Sequence, residues 1–216
     1  TVHTYTILDN DVAGPGLVEI IGSWVEGLSH TAEPGTDRGL VFFAQCENNS
    51  ATDVISVTYG GQTMTKVVDV IVGSGYSAYA AAFYLDEAGI AAASGNSFVV
   101  TWSDYPNRTP VYSSVFLQGV DQTVPLGASD TNWSTSSGTL STSPLATYDG
   151  DMVFVAGACG NSGSYTVENG FIEVFEQDIP SADAVSGYKA ATGFDETPAL
   201  THSNVNRNVI LGFVVQ

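Results

Sequence analysis

Apolar and polar positions alternate along most of this chain in short runs broken by Gly, Pro, Asn, Asp and Ser, the pattern of strands and turns. The runs predict strands near 2–8, 17–22, 39–46, 54–59, 63–71, 77–86, 97–103, 111–118, 123–127, 152–159, 164–168, 171–176, 185–190 and 207–215. In VTYGGQTMTKV, the Gly60-Gly61 pair between alternating runs predicts a tight hairpin, because both central residues need positive φ. The stretch AYAAAFYLDEAGIAAASG is the one helix-like segment. Its alanines favour helix on propensity, yet Tyr79, Phe83, Tyr84 and Leu85 fit a buried strand over 77–86, with a single helical turn at 88–93.

Two further segments bear on organisation. In TVHTYTILDND, Val2, Thr4, Thr6 and Leu8 would share one face and His3, Tyr5 and Ile7 the other, until Asp9-Asn10-Asp11 stops the run. The polar stretch 134–151 has linker composition and is expected to cross between two halves of one sandwich. LVFFAQC and MVFVAGAC, each after a polar loop, are a faint echo between those halves. The expectation is an all-β, two-sheet antiparallel sandwich over residues 17–216, preceded by an extension strand and hinge (AGPG) over 1–16.

Composition agrees with strands: 44% of residues are hydrophobic but only 13% are charged, too few Lys, Glu and Arg for surface helices. Five Lys and Arg stand against 23 Asp and Glu, a net charge of −18. The scattered cations Arg38, Lys66, Arg108, Lys189 and Arg207 form no basic stripe, which argues against nucleic acid and anionic membranes as partners. No run of about 20 apolar residues exists to span a bilayer. A start at Thr1 is expected of a mature exported protein whose signal has been removed, which places it outside the cell. Sequons at Asn48, Asn107 and Asn132 then become candidate glycosylation sites. Cys46 and Cys159 could remain buried thiols or form a disulfide contributing about 4–5 kcal/mol.

Candidate chemistry is sparse. No zinc-protease helix motif, Cys-x-x-Cys pair, P-loop or nucleophile elbow occurs. His3, His30 and His202 lie far apart and read as surface or strand-end residues. Glu168, Glu173 and Glu176 would suit a glycosidase only if a pair shared a face; alternation puts Glu173 with Phe171 and Phe175, and Glu176 opposite. Asp9 and Asp11, and likewise Asp149 and Asp151, offer hard oxygen ligands for Ca²⁺ in turns, the one cofactor suggested; turn-forming preference explains them equally. Trp102, Tyr105 and Trp133, near polar loops, could stack on sugars, although Trp102 would also suit a core.

Several segments in order resemble a family of bacterial and archaeal extracellular jelly-roll-like β-sandwich domains of mostly unassigned function. They are SHT…PGTDRGLVFF (29–43), VISVTYGGQTMTKV (54–67), AFYLDE (82–87), FVVTWS (98–103), VFLQGVDQTVPLG (115–127), MVFVAGA (152–158) and NVILGFVVQ (208–216). VTYGGQ followed downstream by GVDQT-x-P-[LV]-G is the more specific part. The resemblance covers about residues 20–216 and implies the sandwich fold and no catalytic residues.

Residues 1–15 fall outside that resemblance. An extra strand can close its own domain's edge or complete a neighbour's sheet, and a head-to-tail contact of that kind repeats into a filament. The expected function is a non-enzymatic extracellular structural subunit, its donor strand formed by Val2, Thr4, Tyr5, Thr6, Ile7 and Leu8 and its partner another copy of itself. A carbohydrate-binding or adhesive module, with glycans as partners, is the second reading, and a polysaccharide hydrolase or lyase the third.

Overall fold

The computed structural model describes residues 16–216. Sixteen strands and one short helix follow in order: β1 (Glu19–Glu26), β2 (Gly39–Asn48), β3 (Val54–Tyr59), β4 (Gln62–Thr63), β5 (Thr65–Val72), β6 (Ser77–Asp86), α1 (Glu87–Ala92), β7 (Phe98–Trp102), β8 (Val111–Gln118), β9 (Leu126–Ser134), β10 (Thr139–Ser141), β11 (Asp149–Cys159), β12 (Tyr165–Val167), β13 (Ile172–Ile179), β14 (Ala182–Thr192), β15 (Ala199–His202) and β16 (Asn208–Val215). Gly60 and Gly61, at φ 52° and 86°, make the expected tight turn between β3 and β4. The alanine-rich segment is strand through Asp86, whose side chain then accepts from Gly89 N–H and caps the single helical turn.

The strands form antiparallel sheets in the orders β1-β8-β2-β6-β5 and β4-β3-β7 from the first half of the chain, and β9-β16-β11-β14-β13 and β10-β15-β12 from the second. The two five-stranded orders are the same order. Replacing β1, β2, β5, β6 and β8 by β9, β11, β13, β14 and β16 converts one into the other, and β3 with β7 corresponds to β12 with β15. Each half is thus an eight-stranded jelly roll, its chain passing back and forth between a large inner and a small outer sheet.

Register extends the equivalence to residues. Phe43 sits between Ala82 and Ser113, and Ala156 between Ser186 and Leu211. Counting outward places Cys46 with Cys159, Tyr84 with Tyr188, and VYSSVFLQ with VILGFVVQ. The echo between LVFFAQC and MVFVAGAC is the central strand of each repeat.

The large sheets pack face to face with their orders opposed. Trp24 of β1 meets Phe175 of β13 and Tyr188 of β14 at centroid distances of 6.4 and 6.0 Å; Phe43 of β2 meets Phe154 of β11 at 6.3 Å. Val67, Val68, Val70 and Leu126 join the same core from β5 and β9. This pseudo-twofold arrangement gives four β layers and three cores. The shared core holds Val41, Phe43, Phe154, Leu211 and Phe213. One outer core lies beneath β3 and β7 (Phe42, Tyr59, Phe98, Trp102, Phe116) and the other beneath β12 and β15 (Val153, Val155, Tyr165, Leu200, Ile210). Each fully buried Phe contributes about 1.5–3 kcal/mol, and the shared core joins the halves.

β2 and β11 are buried on both faces because each separates the shared core from an outer one. That geometry decides between the two readings of the cysteines in favour of buried thiols. Cys46 points into the first half's outer core and Cys159 into the second's, with both large sheets between them; both are free thiols. The linker-like stretch contains β10 and the start of β11, and the polar run after Leu126 continues β9 to Ser134.

Candidate functional site

The groups with catalytic or ligating chemistry are mostly spent on packing. His30 and His202 are buried rather than at the surface. His30 Nδ1 lies 2.9 Å from Ser114 Oγ, and burial pushes its pKa down to about 4. His202 Nε2 lies 3.0 Å from Asp183 Oδ2, both side chains 1% exposed, with Tyr165 edge-on to the imidazole at 4.6 Å. Burial pushes the Cys46 thiol up to about 12, helped by neighbouring Glu47, and the Cys159 thiol up to about 11. Neither has thiolate character near neutrality. All five cations are ion-paired: Arg38 with Glu87, Lys66 with Asp69, Lys189 with Glu196, and both Arg108 and Arg207 with Glu47.

The carboxylate pattern differs from the expected one. An extra residue in β13 between Glu173 and Phe175 breaks the alternation. Glu173, opposite Gly187, and Glu176, opposite Val185, therefore share the outer face, while Phe175 turns inward against Trp24. Burial and then Glu176 raise the pKa of Glu173, but Glu176 is engaged, accepting from Tyr165 N–H at 2.6 Å. Asp149 is exposed. Asp151 is 2% exposed and accepts from Tyr148 N–H, with Gly150 at φ 98° turning the chain between them. The two do not form a joint pair of ligands, and no group of three His, Cys, Asp or Glu among the described residues is arranged to hold a metal ion. Asp9, Asp11 and the expected donor strand (Val2, Thr4, Tyr5, Thr6, Ile7, Leu8) lie outside the described residues.

The three aromatics expected at a sugar site are not brought together. Trp102 is a core residue, edge-on to Tyr79 and donating from Nε1 to Tyr112 Oη at 3.3 Å. Tyr105 is exposed in the loop after β7. Trp133 is exposed on β9 opposite Val209, on the face turned toward the shared core. A polar groove by Asp130, Asn132, Ser141 and Ser143 opens on the other face of β9, so Trp133 does not line it. Of the sequon asparagines, Asn48 is buried, donating to Ser50 Oγ and accepting from Asn107 N–H. Asn107 and Asn132 are exposed.

The strand edges remain to be described. The four outer edges of the large sheets are each guarded. β1, β5, β9 and β13 all carry a bulge and charged side chains: Glu19 and Glu26, Lys66 and Asp69, Asp130, and Glu173, Glu176 and Asp178. Bulges and charges are how sheets resist edge-to-edge pairing. The described residues begin at Gly16, which packs beside Gly119 just past the end of β8, and Val18 N–H donates to Gly150 O before β1 begins.

Comparison with family models, with curated proteins and with solved structures found no match. Sequence reasoning missed two features that tie the halves together. Trp24 fills the rim between β1 and β13, and its aliphatic neighbours in EIIGSWVE were the available signal. Glu47 receives Arg207 from 160 residues away, which no local pattern announces.

Proposed function

We propose that the protein is a non-enzymatic extracellular structural subunit. In this reading it builds a surface filament in which residues 2–8 of one copy add as a strand to the next. The observation that carries it is a division of labour. The histidines, cysteines and cations of the described body are engaged in its own packing, while residues 2–8, which are not among the described residues, carry a strand-like alternation in the sequence. The body also suits the role: two jelly rolls fused through one core form a rigid block, and its net charge of −18 opposes unspecific clumping. A head-to-tail strand contact supplies a directional interaction that does not close on itself.

A chain beginning at Ala13 tests this. It is expected to fold and to elute as a monomer on size exclusion, with no filaments by negative-stain electron microscopy, under conditions where the full chain polymerises. Polymers of the truncated chain would refute strand donation.

A further inference from the structure

The pseudo-twofold relates two rims of the shared core, one between β1 and β13, the other between β9 and β5. At the first rim Trp24 stacks on Tyr188 and stands edge-on to Phe175, at centroid distances of 6.0 and 6.4 Å. Register gives the counterparts at the second. Asp130 opposite Gly212 answers to Val25 opposite Ser114, so Ser129 holds the place of Trp24. Val68, opposite Ala82, holds the place of Phe175, opposite Ser186, and Tyr84 holds that of Tyr188. A serine and a valine thus stand where the first rim has two large rings, and Tyr84 lacks the ring that Trp24 lays on Tyr188.

A cavity of about 430 Å³ opens beside Tyr84, within the span of about 300–1,000 Å³ usual for small-ligand pockets. Val124, Pro125 and Leu126, from the segment that joins the two halves, form an apolar wall, and Val124 is 54% exposed. Tyr84, Asp86 and three threonines supply polar groups, and no lining residue is cationic. Tyr84 is 3% exposed, yet its Oη has no hydrogen-bond partner among the described residues. Buried hydroxyls are ordinarily paired, and a ligand in this cavity would pair this one. Burial first, then Asp86 and Glu87, hold its pKa well above the ordinary tyrosine value, so it is a neutral O–H in need of an acceptor. Asp86 accepts from Gly89 N–H through Oδ1, which leaves Oδ2 for a donor.

Those groups narrow the ligand. An anion would meet carboxylates and no cation. An ammonium suits Asp86 but offers Tyr84 no acceptor, since it only donates. A neutral sugar carries hydroxyls that donate and accept together, and a C–H face to lay on the apolar wall. We propose that this cavity binds one neutral hexose residue, with Tyr84 Oη donating to one of its hydroxyls and Asp86 accepting from another. The site is independent of strand donation and does not require assembly.

Saturation-transfer difference NMR on the full chain tests the site, because it reads the ligand and works on monomer and polymer alike. Glucose, galactose and mannose are the probes, with glucuronic acid and glucosamine as charged counterparts. Transfer to at least one neutral hexose is expected, and less to glucuronic acid. Tyr84→Phe removes only the unpaired hydroxyl, should fold at least as stably, and is expected to weaken binding about three- to tenfold, the worth of one hydrogen bond. Thr65→Trp, at an exposed position on the cavity wall, should abolish it. No transfer to any of the three hexoses, or transfer unchanged in both variants, would overturn the site. Transfer to glucosamine alone, or to glucuronic acid as strongly as to the hexoses, would overturn the neutral-sugar assignment.

Discussion

Removing Arg207 should cost more stability than its partly exposed position suggests, because of the carboxylate it leaves behind. Glu47, at the end of β2, is 4% exposed, and its Oε1 receives Arg207 Nη2 at 2.6 Å. Arg207 also donates to Gly160 O at 2.8 Å and Asn206 Oδ1 at 2.9 Å, so one guanidinium joins β2 of the first half to two loops of the second. Arg207→Met strands the buried charge, a change that costs about 3–5 kcal/mol in comparable settings. Arg108, 3.9 Å from the other carboxylate oxygen, softens the loss and places the expectation near the lower figure. Glu47→Gln removes the charge and leaves an amide that still hydrogen-bonds, at about 1–2 kcal/mol. The double variant should then cost clearly less than the sum, with a coupling of at least about 1 kcal/mol. Urea titration of the four proteins is the assay, since urea, unlike guanidinium chloride, does not screen the pair. Additivity within about 0.5 kcal/mol would refute the reasoning.

Three other outcomes follow from the same structure. His30 is neutral when folded because burial holds its pKa near 4, against about 6.5 unfolded. Stability is therefore full above about pH 6.5 and falls by about 1.4 kcal/mol per unit toward pH 4; urea midpoints of His30→Gln across that window should show a shallower acid limb. Both thiols are buried with pKa raised to about 12 and about 11, so a thiol reagent at pH 8 should find none in the native protein and two after unfolding, and reductant should leave the melting temperature unchanged. With −18 net charge and every cation already paired, self-repulsion weakens the compact state. The melting temperature should rise from 0.01 toward about 1 M NaCl, where the Debye length shrinks from about 30 to about 3 Å; a flat or falling curve would contradict this.

Most of the fold was legible because its signal is local. Alternation located β2, β3, β6 and β8 nearly to the residue, since each buries at least one face in a contiguous apolar run. β10, β15 and the later part of β9 escaped because they are very short or Ser-, Thr- and Asn-rich, lie at an edge or in an outer layer, and are held by their neighbours' ladders. The duplication showed only in LVFFAQC and MVFVAGAC. Elsewhere the equivalent positions keep size and face but not identity, as Phe42 and Val155 do in the two outer cores. Sites fared worse, because they depend on which face a residue takes. One bulge in β13 moved Glu173 and Glu176 to the same side, and both large sheets separate Cys46 from Cys159. Trp102, at a strand end beside a polar loop, suits either a sugar platform or a core until the outer sheet closes over it.

Sedimentation velocity of the full chain beside the chain beginning at Ala13 tests the central claim most directly. Where the full chain forms polymers, the truncated chain should remain a monomer. A truncated chain that polymerises under the same conditions, or a full chain that stays monomeric at every concentration, would contradict the account.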